Sequence, residues 1–527
     1  MAALLQNGDH HGNGSPATTT TTTAIDDFLK PLAVDLPRIR ELADELADVF
    51  RELSAHSPDQ FLPTPISESI LRPAAGQHRG RFLAIDIGGT NLRVAFVELS
   101  DGSSSSTAVV TRHLEHSWPI QEHLKNENPE SLFGWVGQQV AHVVGKGCAA
   151  FGLSARDELP MGVTFSFPMK QSSLSQATLM AMGKGFAITS DLDLGGHLLR
   201  GYDAHRHRRL PSEMLPLPPI KIAAISNDAV ATLVSFIYQF PARPDQKAAM
   251  GLIVGTGCNA TIPLPLRSLH PTKRPASISV LPGQDVDTVK IAVNTEWTIN
   301  GTAPPLRRLG FITPWDDVLD RAGEAPGFQP LEYMSAGRYL GELARLIFVD
   351  FVSSTRRTLP PDADADADRV VVLQLPDRFH RRFGLSTTFV SHLYPGSERG
   401  GLVEQLEREF PEGRWTADAA YALYRIAKAI ELRAAGIVAA ATVGLLRAAE
   451  ELGAGARTDG VRELAVGYTG GCIQHFQDYL ADTQRFIDDV LAAEEDEDVK
   501  VILRPCHDGG ITGAGILVPA ALAGTEV

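Results

Sequence analysis

Several short segments of this chain carry residue types that chemistry needs and core packing does not. The first is Asp86-Ile87-Gly88-Gly89-Thr90-Asn91-Leu92-Arg93. Glycines let backbone amides approach a phosphate closely, and amides exposed in a turn form an anion-binding concavity. Thr90 and Asn91 add side-chain donors. Asp86, at a strand end, is suited to hold Mg2+ through water, because Mg2+ keeps most of its hydration. Taken alone, the same segment reads equally as a plain hairpin turn with a satisfied aspartate. The second segment, Gly255-Thr256-Gly257-Cys258-Asn259-Ala260, nearly matches the dinucleotide fingerprint G-x-G-x-x-G/A. That fingerprint needs a helix next. Thr261-Ile262-Pro263-Leu264-Pro265 cannot supply one, because two prolines break it. A second phosphate hairpin is the better reading, and a nicotinamide enzyme is not. The chain has no G-x-x-x-x-G-K-[ST] motif, so it is not a P-loop kinase.

Asn227-Asp228 falls between a strand-like and a helix-like run. Both residues are strong helix N-caps. A carboxylate aimed into a cleft from that position is also suited to take a proton from an alcohol as it attacks phosphorus. Lys184, Glu296 and Glu332 each read singly as surface charges, and Glu332 also suits a helix N-terminus. Ser166, in Phe165-Ser166-Phe167-Pro168, reads as a turn hydroxyl.

These residues need elements to hold them. Phe82–Ile87 and Leu92–Leu99 read as strands around Gly88-Gly89, which makes a β-hairpin. Met161–Phe167, Lys221–Ser226, Ala249–Val254 and Lys290–Trp297 read as further strands, and a helix is expected from Ala229. A helical pattern starts near Ile25, with Leu36, Ile39, Leu42, Leu46 and Phe50 at helical spacing. After Leu331 the chain reads as largely helical. Residues 1–24, with six threonines from Thr18 to Thr23, read as a disordered tail. Pro360-Pro361 followed by alternating Asp and Ala reads as a solvated acidic loop. The mixture is an α/β chain.

The bulk numbers agree. At 527 residues the chain is long enough for two or three cores. A net charge of −15 argues against nucleic-acid or membrane-surface binding, since both partners are anionic. Four cysteines without a CxxC pair suggest neither zinc nor disulfides, and a reducing compartment. The longest apolar run, Ala434–Leu446, is shorter than the ~20 residues a membrane span needs. No basic region followed by an apolar run marks Met1–Gly14, so no secretory signal is expected.

Taken in chain order, the segments resemble the hexokinase and glucokinase family. They are Phe82–Asn91, Gly162–Pro168, Lys184-Gly185-Phe186, Ser226-Asn227-Asp228, Gly251–Ala260, Val293–Trp297 and Tyr339–Leu343. The resemblance spans about residues 30–520 and is closest in kind to divergent fungal-type members. It implies an actin-like ATPase (ribonuclease H-like) fold of two lobes. The large lobe would take 25–78 and 226–511, and the small lobe 79–225. Residues 512–527 would form a C-terminal helix packed back on the small lobe. It also implies transfer of the ATP γ-phosphate to the 6-hydroxyl of glucose or a related hexose, with Asp228 as base and Lys184 assisting. Ser166, Lys184, Asn227, Asp228, Asn259, Glu296, Gln329 and Glu332 would face the sugar. Asp86, Gly88, Gly89, Thr90, Asn91, Arg93, Thr256, Gly257, Gly470 and Gly509 would face ATP, Lys184 would reach the phosphates as well as the sugar, and Mg2+ would be held through water near Asp86 with no direct protein ligand. The partners are hexose and Mg-ATP, and no regulatory protein partner is specified. The location read is cytoplasmic, with nuclear or mitochondrial-surface association left open.

Some positions depart from the family pattern. Gly183 and Ala229 stand where threonine is usual, Ala325 where asparagine is usual, and Thr298 where glycine is usual. Thr469-Gly470-Gly471 replaces Asp-Gly-Ser, Asp508-Gly509-Gly510 ends in glycine rather than serine, and the stretch from Ala260 to Val293 is long. A lost hydroxyl hydrogen bond is worth roughly 0.5–1.5 kcal/mol. Weaker sugar and nucleotide binding is therefore expected. The alternative expectation is a weakly active or non-catalytic sugar- or nucleotide-sensing regulator of the same fold. A purely structural nucleotide-binding module is disfavoured, because Glu296 and Glu332 are retained.

Overall fold

The computed structural model describes residues 24–526 apart from 72–78, 102–107, 127, 181–191, 208–215, 242, 286–288, 358–374, 397–399, 454–459, 494–498 and 524. Residues 1–23 of the expected tail, Gly183 and Lys184, and the Pro360–Asp368 linker lie outside the described residues.

The first long helix is α1 (Leu36–His56), whose start is set by the Asp35 side chain accepting from the Arg38 N–H at 2.9 Å. Strand β1 (Leu62–Ser67) follows. Then come β2 (Gly80–Ile87), β3 (Asn91–Asp101), β4 (Ala108–Pro119), α2 (Pro129–Phe151) and β5 (Leu159–Phe165). A small sheet of β6 (Met169–Ser173), β7 (Gln176–Leu179) and β8 (Leu192–Asp193) precedes α3 (Leu194–Arg206), β9 (Ile220–Ser226) and α4 (Asp228–Gln239). The second half holds β10 (Gln246–Val254), β11 (Cys258–Pro265), β12 (Ser279–Val280), β13 (Lys290–Asn294), α5 (Pro330–Ser335), α6 (Gly337–Arg357) and α7 (Ala417–Ala448). It ends with β14 (Glu463–Thr469), α8 (Tyr479–Ala492), β15 (Lys500–Pro505), α9 (Gly509–Ala523) and β16 (Thr525–Glu526).

One strand order occurs twice. The five-stranded sheet runs β4-β3-β2-β5-β9. The larger sheet contains β13-β11-β10-β14-β15 in the same order. In each, three antiparallel strands are followed by two strands parallel to the first hairpin strand. This duplication is the two-lobe α/β architecture that the resemblance implies.

The sequence explains the pairing. Along β2, Leu83, Ile85 and Ile87 join one core with Val136, Val140 and Val144 of α2, while Ala84 joins another with Ala514 and Leu517 of α9. Period-two alternation thus sorts large residues to one face of the sheet and small ones to the other. The small face lets α9 lie very close: a Cβ at Gly162 of β5 would stand 1.9 Å from the Ala514 carbonyl oxygen. A Cβ at Gly513 would stand 2.2 Å from the Ala231 carbonyl of α4. Helix α9 follows the larger sheet yet packs on the five-stranded one, and α4 follows the five-stranded sheet yet packs on β10. The two helices cross between the sheets and touch each other.

Two expectations are corrected here. The strand expected over Lys290–Trp297 ends at Asn294, because Glu296 takes a left-handed backbone with φ of 45° that no strand continues. The part after Leu331 is helical but interrupted by β14 and β15: β14 is buried along its middle and β15 is partly exposed along most of its length, so neither shows the alternation that marks a strand. The prolines after Gly255-Thr256-Gly257 lie in a strand and not in a helix, as the hairpin reading expects. Pro263 and Pro265 of β11 lie past the last pairing with β10, so their missing N–H groups leave no ladder bond unmade there.

Helix α7 is long and apolar enough to cross a membrane by length and composition, but 89% of its apolar stretch is buried inside the protein. It is the central helix of the larger lobe, and α1 and α8 pack on it. It carries an unusual charge. Glu431 is fully buried, with Lys428 Nζ at 2.6 Å, and that ammonium also meets Asp478 at 2.9 Å and Asp482 at 2.8 Å. Burial pushes the Glu431 carboxyl up to about 8, against the pull of Lys428, and Asp482 and Asp478 add to the rise.

Two outcomes follow. Gly162→Ala is expected to destabilise the protein by about 1–3 kcal/mol, because the added methyl overlaps a backbone carbonyl rather than a yielding side chain. The urea midpoint measures this, and an unchanged midpoint would refute the close packing. For Glu431, a folded value raised above the ordinary 4.5 means its stabilising share is fully present below about 4.5 and lost as pH rises through about 8. Relative to wild type, Glu431→Gln should therefore gain melting temperature steadily across that window. A difference that stays flat with pH would count against it.

Candidate active site

The β2–β3 hairpin forms as expected. The Gly88 N–H donates to the Asn91 carbonyl at 2.9 Å, and Gly89, Thr90 and Asn91 sit in the turn with Thr90 and Asn91 exposed. The Thr90 carbonyl accepts from the Ile120 N–H at 2.7 Å, which fixes the turn against the end of β4. Asp86 is buried just behind it. Arg93, its partner across the hairpin, donates through Nη2 at 2.7 Å and Nε at 3.1 Å to Asp86 Oδ2. The third guanidinium nitrogen of Arg93 reaches Asp508 at 2.7 Å, and Arg112 of β4 holds the other oxygen of Asp508 at 2.9 Å. Arg93, expected to face phosphate, is thus engaged by two carboxylates. Burial raises the Asp86 pKa, Arg93 opposes the rise, and the charges of Asp228 and Asp508 add to it. Burial also pushes Asp508 up, but Arg112 and Arg93 outweigh it and hold that carboxyl below its ordinary value.

Sheet register explains why these acids meet. Asp86 pairs with Thr164 of β5, and Thr164 pairs with Ser226 of β9, so the three parallel strands end level. The residues just past those ends are Gly88, Ser166 and Asn227-Asp228. The Ser166 N–H donates to the Ile87 carbonyl at 3.0 Å, which ties it beside the turn. Asn227 caps α4: its Oδ1 accepts from the Ala229 N–H at 2.8 Å, while its amide donates to the Phe167 carbonyl at 3.4 Å. Asp228 occupies the first helical position, and its Oδ1 accepts from the same Ala229 N–H at 2.9 Å. The capping and the cleft-facing readings of Asn227-Asp228 are therefore compatible: Asn227 serves as the cap, and Asp228 keeps a carboxylate at a helix N-terminus, where negative charge is favoured.

The second hairpin lies at the corresponding end of the larger sheet. The Gly255 N–H donates to the Gly257 carbonyl at 2.8 Å, and Thr256 is exposed at the tip. Beyond it three expected residues gather. Asn259 Nδ2 donates to Glu296 Oε1 at 3.1 Å and to Asn294 Oδ1 at 2.9 Å, and Asn294 Nδ2 donates to the same Glu296 oxygen at 2.8 Å. Glu332, buried on α5, accepts from the Cys258 N–H at 3.2 Å. Gln329 is the residue before α5, partly exposed. Both Glu296 and Glu332 are thus held at the start of β11.

A groove of about 530 Å3 runs beside the second hairpin, lined among others by Gly255, Thr256, Arg338, Gly471, Cys472 and His475. Gly470 stands behind it with φ of 117°, where a Cβ would meet the Val254 carbonyl at 2.3 Å. Gly509, expected on the nucleotide, is buried against Thr232 and serves the contact of α9 with α4. Lys184 lies outside the described residues. Asn294 and Arg112 went unnoticed in the sequence. Asn294 had a signal, standing two before Glu296, but nothing local distinguishes Arg112.

The donor set suits Mg2+ held through water. Both Arg93 contacts fall on Asp86 Oδ2, and among the described residues no hydrogen bond reaches Oδ1. A cation held through its water shell needs such an acceptor oxygen.

Comparisons with known proteins agree with this arrangement. Residues 24–238 and 249–520 each match a family model described as hexokinase. Hexokinase-7 of Oryza sativa subsp. japonica is 26% identical over 449 residues, 84% of this chain and 85% of that protein. Hexokinase-2 of Arabidopsis thaliana is 27% identical over 497 residues, 93% of this chain and 88% of its own. The solved hexokinase from Schistosoma mansoni complexed with glucose superposes with a TM-score of 0.74 at 22% identity, covering 95% of this chain and 99% of that one.

Removing Arg93 would leave Asp86 buried without its cation. Arg93→Met is expected to cost about 2–3 kcal/mol of stability in ligand-free protein, read by urea unfolding. A loss under about 0.5 kcal/mol would refute its role as the clamp.

Proposed function

Because the chain belongs to the hexokinase family and is a hexose phosphotransferase, we propose that it moves the ATP γ-phosphoryl group to the 6-hydroxyl of glucose or a close relative, with Asp228 as general base. The observation that carries this is the level ending of β2, β5 and β9, which gathers a phosphate turn, Ser166 and the Asp228 carboxylate at one edge.

In this reading Glu296, Asn259 and Glu332 accept and donate to sugar hydroxyls, joined by Ser166, Asn227 and Gln329. Charge-assisted hydrogen bonds of this kind fix the ring so that the 6-hydroxyl meets Asp228. Asp228 takes the hydroxyl proton as the oxygen bonds to phosphorus, and ADP leaves. The turns at Gly88–Asn91 and Thr256-Gly257 offer amide and hydroxyl donors to the phosphates, and Lys184 is assigned to them by resemblance. Magnesium, when bound near Asp86 through water, offsets phosphate charge. The groove beside Thr256 and Gly471 suits the nucleoside.

Sugar phosphate formed from glucose, fructose and mannose with excess Mg-ATP tests the proposal. Asp228→Ala should lower kcat by about 10²–10⁴-fold, the usual worth of a general base. Wild-type turnover no greater than that of Asp228→Ala at millimolar sugar would sink the assigned reaction. Retained sugar binding in that event would favour a sugar-sensing regulator.

A further inference from the structure

Glu296 carries its carboxylate on a backbone that side chains rarely adopt, with φ of 45°. Such a conformation persists only where the surroundings over-determine it. The two amides of Asn259 and Asn294 hold the carboxylate, but they do not hold the main chain. Locally, the Glu296 carbonyl accepts from the Ile299 N–H at 3.1 Å and the Thr295 N–H donates to the Ala260 carbonyl at 3.0 Å, and a further hold comes from a segment more than two hundred residues away in sequence. Gln60, 2% exposed, donates from Nε2 to the Glu296 carbonyl at 3.0 Å. Its Oε1 accepts from the Gly301 N–H at 3.0 Å, so one side chain spans the turn from Glu296 to Gly301. A Cβ at Gly301 would lie 2.2 Å from Gln60 Oε1, so a larger residue there would push the Gln60 amide aside. The next residue, Phe61, is itself left-handed with φ of 53°, and its N–H donates to the Thr295 carbonyl at 2.9 Å. Lys273, from the long stretch between Ala260 and Val293, donates to the Gln60 carbonyl at 3.1 Å and to the Leu53 carbonyl at 3.0 Å.

We propose that Gln60 is a positioning residue for hexose binding: it touches no substrate, and it sets sugar affinity by holding the Glu296 main chain. Lys273 anchors Gln60 in turn, which gives the long stretch a use at the site. The inference rests on the reading of Glu296 as a hexose ligand.

The test uses the full chain and steady-state kinetics for hexose and for ATP. In Gln60→Met, which keeps length and removes both hydrogen bonds, the KM for hexose should rise about tenfold, while kcat and the KM for ATP change less than about twofold. Gln60→Glu keeps an acceptor for Gly301 and loses the donor to Glu296, and it should give the same split; it carries the test if the methionine variant does not fold. The decisive arm repeats Gln60→Met in a Glu296→Gln background. If Gln60 acts through Glu296, its effect on hexose KM there shrinks to less than about twofold. An unchanged KM in both single variants, or an equal effect in the two backgrounds, overturns the inference while the hexose reading stands. Wild-type protein that neither binds nor phosphorylates any hexose overturns both.

Discussion

The crossing of α4 and α9 is the contact on which the rest depends. Each helix leaves the last strand of one sheet and packs against the other. Their approach is closer than side chains allow, since glycines at 162, 509 and 513 each face a neighbouring helix or strand with no room for a methyl. This close crossing has two consequences. It brings the carboxyl ends of both sets of parallel strands together, which is where ligands bind in open α/β sheets. It also sets Asp228 at the start of one crossing helix and Asp508 at the foot of the other.

That geometry concentrates negative charge. Asp86, Asp228 and Asp508 lie near enough for the last two to raise the Asp86 pKa. Two arginines from neighbouring strands, Arg93 and Arg112, offset the excess. Arg93 reaches from the five-stranded sheet to Asp508 beyond the end of β15, so the same ion pairs that neutralise the site also join its two edges. Like charges held at one place, with partners that leave some oxygens available, make a site that a cation and a phosphate can complete.

The cluster at the start of β11, proposed to face the sugar, is built differently. There the carboxylates are oriented by neutral amides rather than by arginines, and the cost is carried in the backbone, in the left-handed residues Phe61 and Glu296. Neutral donors leave a carboxylate its charge for use on hydroxyl groups. An arginine in the same place would have spent it.

The α/β class, both glycine hairpins and the start of α4 are legible in the residues alone, because each is a local matter of turn chemistry, periodicity or capping. Asn227 could be recognised as a cap and Gly255-Thr256-Gly257 as a turn from their neighbours alone, and the family follows from the ordered motifs. What the tertiary structure alone decided are pairings between distant residues. Arg93 with Asp508, Arg112 with Asp508, and Gln60 with Glu296 join positions hundreds of residues apart or carried on separate strands. No local pattern encodes them. Gly509 and Gly162 are of the same kind: as letters they are merely small, and only the crossing of helices on a sheet decides that nothing larger fits. Strand alternation and turn signals act within a few residues, whereas partner choice is set by sheet register and helix packing, which exist only once the chain has folded.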